Sequence, residues 1–316
     1  MTAAPRARVQ RRPVHGALLI DKPLGLSSNQ ALQKAKWLLR AEKAGHTGTL
    51  DPLATGVLPL CFGAATKFSQ LQLDADKTYE ATARLGITTS TGDAEGAVMK
   101  ERPVHVSAQD LARVAAQLTG AIRQIPPMHS ALKKDGKALY EYARAGLQVE
   151  RAAREVTVFR LGITRLDAVS IRITATVSKG TYIRTLAEDI GAALGCGAHL
   201  TQLRRIATGG FTLAQCITLP AFEALSEQER LARLLPPEAL LPGHAAIVLP
   251  DEEAGRFLTG LRRRGPWPDA ERVAVFGEQP RALLGTARVV RGELIADRLL
   301  SPAEIQQILE QSTETP

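Results

Sequence analysis

The sequence predicts a mixed protein of helices and strands, with one large domain followed by a small β-rich one. Its 316 residues exceed the ~100–200 of a typical single domain. Period-2 alternation, the mark of a half-buried strand, recurs between segments that open on helix-capping residues. A group of turn residues, Pro236, Pro237, Pro242 and Gly243, marks a boundary before the C-terminal stretch.

In chain order, residues 17–20 form a short apolar strand stopped by Asp21, Lys22, Pro23 and Gly25. Ser27 and Ser28 cap a helix to about Arg40, with Leu32, Ala35 and Leu39 on one face. Residues 57–62 read as a buried strand, and Lys77–Leu85 places Tyr79, Ala81, Ala83 and Leu85 on one face. Ser107 followed by Asp110 opens a helix through Leu118. Residues 169–177 alternate strictly and lead through Ser178, Lys179 and Gly180 into a helix at 181–194. Residues 133–154 are basic and only partly periodic, either a flap or a solvated loop. A helical stretch at 220–235 precedes the boundary, and strands at 273–276, 283–290 and 298–300 follow it. No repeat recurs at a fixed period.

Hydrophobic residues make up 45% and charged residues 23% of the chain, as in an ordinary globular protein with a substantial core. No apolar run approaches the ~20 residues a membrane helix needs. Residues 1–15 carry Arg6, Arg8, Arg11 and Arg12 without the apolar segment of a secretion signal, and read as a mobile basic arm. A net charge of +8 and a pI near 9.6 suit a polyanionic partner, nucleic acid or an acidic membrane surface. Cys61, Cys196 and Cys216 are too few and too dispersed for a disulfide framework or a zinc site, and fit a reducing cytoplasm. The histidines make no ligand pair, so no metal is expected. No Walker loop or dinucleotide fingerprint occurs, and the segment at Gly63–Lys67 has Thr and Lys in the wrong order.

The densest motif runs from Gly45 to Gly56 and presents Asp51 before Pro52. The glycines open backbone conformations closed to other residues, and Pro52 pushes Asp51 toward an extended conformation. One reading is a rigid loop presenting a catalytic carboxylate. The other is an Asp-Pro turn whose carboxylate bonds only its neighbours.

From Gly45 to Lys67 the chain closely resembles the TruB family of tRNA pseudouridine synthases, which modify uridine 55 in the T loop. The resemblance extends to 19–25 around Asp21-Lys22-Pro23, to Lys77-Thr78-Tyr79-Glu80 and to Gly92-Asp93-x-Glu95-Gly96. It continues at Ile125-Pro126-Pro127-Met128-His129-Ser130-Ala131, at Ser178-Lys179-Gly180-Thr181-Tyr182-Ile183-Arg184 and at Leu203-Arg204-Arg205. The resemblance implies the pseudouridine synthase fold, an α/β (α+β) domain at 16–240 on a mixed, largely antiparallel sheet. It also implies an RNA-gripping thumb at about 127–154 and a small PUA-like β-barrel at 244–316. By the same resemblance Asp51 is the nucleophile, Tyr79 stacks on the uracil and removes the proton from its carbon, and Arg184 pairs with Asp51. His46 enters the space left by the flipped base, Tyr182 and Leu203 line the uracil pocket, and Lys22 buttresses the loop. The family commonly has Tyr where this chain has His129. Read without the family, Tyr79 is a core aromatic, Arg184 a surface residue or phosphate contact, His46 a turn histidine and Lys22 a solvated turn lysine.

The implied enzyme is a cytoplasmic monomer acting on the T-arm stem-loop of tRNA, with no cofactor, metal or membrane. Two other readings are an RNA-binding or folding factor without catalysis, and a synthase working on another RNA inside a complex. A carboxylate aimed at an anionic polymer argues against the first, and the attached C-terminal domain and full thumb argue against the second.

Overall fold

The structure, a computed structural model, describes residues 10–314. Residues 1–9 of the expected arm lie outside the described part. Its last residues are built into the fold: the Arg12 amide donates to the Arg40 carbonyl at 2.9 Å, and Val14 and His15 are buried. By packing, the chain divides into two units. One holds the described residues to 51, 57–73 and those from 214 onward, and the other holds 52–56 and 74–213.

In the first unit the strand Gly16–Lys22 runs parallel to Ile217–Thr218, with Ile20 opposite Ile217. Ser27 caps the helix Ser28–Leu38 in a reciprocal box with Gln30. The helix ends short of the expected Arg40 because that residue takes a positive φ of 52°, which no helix accommodates. The strand Ala54–Phe62 begins three residues earlier than expected and pairs antiparallel with Ala44–His46, Gly45 opposite Cys61. The expected helix at 220–235 is two short ones, Leu219–Ala224 and Glu227–Ala232. Leu225 is extended, and Ser226 starts the second with its own capping box to Glu229.

The C-terminal part of this unit is a five-stranded sheet in the order Ala245–Leu249, Ala270–Gly277, Ala282–Val290, Glu293–Leu299, Arg263–Arg264. It packs around its own cluster, including Phe257, Val273, Val275, Leu284 and Leu294. The expected strand at 298–300 is the end of Glu293–Leu299, and the chain continues into an unanticipated helix, Pro302–Glu314. Its start was written in the sequence: Ser301 accepts from the Glu304 amide, Glu304 reaches back to the Ser301 amide, and Pro302 follows the cap. His15 holds this helix through Gln307 and Gln311, and Lys67 holds it through Glu304 at 2.6 Å.

The second unit is an antiparallel ladder in the order Gly120–Gln124, Arg154–Arg165, Ser170–Val177, Lys77–Leu85, Ala198–Thr208. Residues 54–56 join its end in parallel, Ala54 opposite Leu203. Gly56 makes this approach possible, since a Cβ there would stand 2.1 Å from the Arg205 carbonyl oxygen. The helices Ala108–Gln117 and Ile183–Ala193 pack on one face, over Val158, Ile171, Ile173 and Leu200. The basic segment at 133–154 is a hairpin of Lys133–Lys134 with Lys137–Ala138, followed by the helix Leu139–Arg144.

Candidate active site

Asp51 lies in the loop between the paired strands Ala44–His46 and Ala54–Phe62, and is partly buried. The loop is fixed at its root. The Leu50 amide donates to Ser28 Oγ at 2.7 Å, Ser28 Oγ donates back to the Leu50 carbonyl at 3.1 Å, and the Thr47 amide donates to the Pro59 carbonyl. Ser28 stands at the start of its helix, so the residue before Asp51 is anchored to a rigid element. His46 ends the short strand, opposite Leu60. Lys22 is fully buried, and its Nζ donates to the carbonyls of Pro23 at 2.9 Å and Leu26 at 2.5 Å. A solvated turn lysine is therefore excluded.

In the second unit Tyr79 sits on the helix-covered face of Lys77–Leu85, 8% exposed, a placement a core aromatic would share. Leu203 is opposite Ala81, so it flanks Tyr79 on that face. Lys77 is two residues earlier and also buried; burial, reinforced by the charge of Arg205, pulls its ammonium down to about 8.

Tyr182 and Arg184 form the first turn of Ile183–Ala193, Tyr182 being the N-cap. Arg184 is buried, not a surface residue. Its Nη1 donates to the Thr91 carbonyl at 3.1 Å and its Nη2 to the His129 carbonyl at 2.6 Å. Asp93 Oδ2 is 3.5 Å away, both side chains being 5% exposed. Asp93 is in turn held by Thr91 Oγ1 at 2.5 Å and the Glu95 amide at 3.1 Å. Gly92 leaves room for Glu188, whose carboxylate a Cβ would meet at 2.9 Å. Asp93 lies within the Gly92-Asp93-x-Glu95-Gly96 motif, but neither it nor Gln124 carries a local sequence signal of this role. The Gln124 amide accepts from the Tyr182 amide at 3.0 Å and donates to the Tyr182 carbonyl at 3.4 Å. Gln124 stands just before the Ile125-Pro126-Pro127 run. His129, where the family commonly has Tyr, contributes its carbonyl here. Among the described residues no group of three or more His, Cys, Asp or Glu side chains is arranged to hold a metal ion, and no helix is long and apolar enough to cross a membrane.

Residues 36–183 match the model of the TruB family pseudouridylate synthase N-terminal domain, and 184–242 match the tRNA pseudouridylate synthase B C-terminal domain. The tRNA pseudouridine synthase B of Verminephrobacter eiseniae (strain EF01-2) is 64% identical, over 98% of this chain and 96% of its own. That of Ralstonia nicotianae (strain ATCC BAA-1114 / GMI1000) is 57% identical, over 93% and 97%. Among solved structures, a Cbf5-Nop10-Gar1 complex aligns with TM-score 0.69 and 25% identity over 93% of this chain and 85% of that one. An H/ACA RNP bound to a substrate RNA containing 2'-deoxyuridine aligns with TM-score 0.68 and 23% identity, over 91% and 86%.

Proposed function

The chain belongs to the TruB family of pseudouridylate synthases, which are isomerases, and from that premise we propose that it converts uridine 55 of the tRNA T loop to pseudouridine. The relatives named tRNA pseudouridine synthase B support tRNA as substrate. Residues 16–240 carry the catalysis and 244–316 form a PUA-like module. The protein works in the cytoplasm as a monomer on the T-arm stem-loop.

The reaction adds and removes no atoms overall. The bond from uracil N1 to the ribose C1′ breaks, the uracil turns, a C5–C1′ bond forms, and the C5 proton leaves as N1 gains one. The base must first leave its stack, at a cost of a few kcal/mol. His46 fills the vacated space, and Tyr182 and Leu203 flank the uracil. Asp51 is the nucleophile. A carboxylate serves attack at C1′, addition to the pyrimidine ring or passage through a glycal. Arg184 keeps Asp51 ionised and aimed, as a neighbouring cation does for a carboxylate. Tyr79 takes the C5 proton. Lys22 stiffens the turn beneath the loop through its two carbonyl contacts.

The observation that carries this reading is the anchoring of the Asp51 loop. Ser28 pins Leu50 on one side, and on the other the chain returns into the strand Ala54–Phe62, which pairs with Ala44–His46. A carboxylate held between two fixed points suits chemistry that demands orientation. The test is tritium release from tRNA labelled at uracil C5. Asp51→Asn should lose several decades of rate, each worth ~1.4 kcal/mol of barrier, with RNA binding within a few-fold of wild type. Substantial pseudouridine formation by pure Asp51→Asn protein would sink the mechanism.

A further inference from the structure

We infer that Gln124 is a positioning residue for the reaction, its buried side-chain amide setting where the Tyr182–Arg184 turn stands. Gln124 is 2% exposed and ends the strand Gly120–Gln124, where its backbone faces Arg154. Its side chain points its polar groups at the helix Ile183–Ala193. Tyr182, the N-cap, makes no side-chain capping bond, and Gln124 bonds both of its backbone groups, the carbonyl also accepting from the Leu186 amide at 2.9 Å. Burial pushes the carboxyl of Asp189, further along that helix, up to about 6, against a lowering influence from Gln124. A glutamine amide has both donors and an acceptor, so one side chain engages both backbone groups of the residue that leads into the helix carrying Arg184.

Five residues on, the His129 carbonyl takes the guanidinium of Arg184 itself. One short segment thus grips both the backbone and the side chain of the turn. It also opens the basic segment at 127–154, whose far end returns when Arg151 Nη1 donates to the Pro126 carbonyl at 2.9 Å. The inference rests on the reading above that Arg184 serves Asp51. Asp189 is the charged group coupled to the amide itself. Beside Asp189 on the helix stands Glu188, which feels Asp189, Arg184, Asp93 and Arg151, and Arg154 is the strand partner of Gln124.

The experiment measures single-turnover rate at saturating T-arm stem-loop RNA, together with RNA affinity, for full-length Gln124→Leu, Gln124→Glu and Arg184→Ala, each relative to wild type across the pH range on both sides of 6. Gln124→Leu should be slower by about 10- to 100-fold at every pH, the scale a misplacement near 1 Å carries, with affinity within a few-fold. Gln124→Glu tests the donor itself. Ionised, it keeps the acceptor for the Tyr182 amide but loses both donors and faces the Asp189 charge. Protonated, it regains one donor. Two adjacent carboxylates raise the pKa of one of them, so its relative rate should climb as pH falls while that of Gln124→Leu stays flat. Gln124 variants at the wild-type rate, or a slow Gln124→Glu without acid recovery, overturn the inference. Arg184→Ala separates the two levels. If it is slow while the Gln124 variants are normal, only this inference falls; if it reacts as wild type, the Arg184 reading falls.

Discussion

Arg184 was legible as a candidate only through its motif, because an arginine early in a helix reads by itself as a surface group. What removes it from solvent is a set of partners 55 to 93 residues away: the carbonyls of His129 and Thr91 and the carboxylate of Asp93. No local spacing encodes such contacts, which is why Asp93 and Gln124 went unassigned while Asp51, marked by its own glycines and proline, stood out. Asp93 supplies the opposing charge. Breaking a buried ion pair by removing one partner costs about 3–5 kcal/mol. The two carbonyl acceptors of Arg184 and its 3.5 Å separation from Asp93 put Asp93→Asn near the lower figure. That variant should unfold at lower denaturant and lose single-turnover rate. Wild-type stability in urea titration would mean that the carbonyls alone hold Arg184 and that Asp93 is dispensable.

At the scale of elements, what was readable was what local rules decide. The capped helices at Ser27 and Ser107 and the alternation of Lys77–Leu85 came through nearly to the residue. The C-terminal helix Pro302–Glu314 did not, although its capping signal and the helical spacing of Ile305, Ile308 and Leu309 stand in the sequence. Besides Lys67, it is held by His15, near the other end of the sequence. His15 Nδ1 accepts from the Ala64 amide at 2.9 Å, so the ring proton must sit on Nε2, where it donates to Gln307 at 3.0 Å. Burial lowers the His15 pKa from its usual 6.5, against the raising influence of Gln307, Glu304 and Glu42. A depressed histidine makes the folded state bind fewer protons than the unfolded chain. Its contribution is complete above the unfolded value and is lost as pH falls below 6.5 toward the lowered folded value. His15→Gln should therefore flatten the decline of stability in that acid window while costing about 1 kcal/mol for the altered hydrogen bond. The check is urea denaturation of both proteins as a function of pH. An unchanged acid slope would show that His15 does not titrate with unfolding.

For the whole molecule, net charge was visible at once as +8, but which charges are available to RNA was not. In the C-terminal sheet many arginines already have carboxylates. Arg264 and Arg262 share Glu293, Arg263 meets Glu253, and Arg288 meets Asp297. The Glu293 carboxyl is held below its usual range first by its hydrogen bond from Arg264. A cation that must leave a carboxylate to reach a phosphate gains little from the exchange. In the basic hairpin, by contrast, Lys133, Lys134 and Lys137 are exposed, and the Lys134 ammonium donates to a neutral carbonyl, that of Glu150, at 3.0 Å. Binding driven by counterion release weakens linearly on a log–log salt plot, by about 0.7–0.9 in slope per phosphate neutralised. Replacing the three lysines with Ala should thus weaken RNA binding and lower that slope by about 2 to 3, with the saturated single-turnover rate nearly unchanged. Replacing Arg262 and Arg264 with Ala should leave the slope as in wild type. The measurement is a salt titration of stem-loop and full tRNA binding for both variants. A full slope in the lysine variant would remove the hairpin from the RNA interface. A reduced slope in the arginine variant, on full tRNA only, would instead place the C-terminal sheet against a part of the tRNA beyond the T arm.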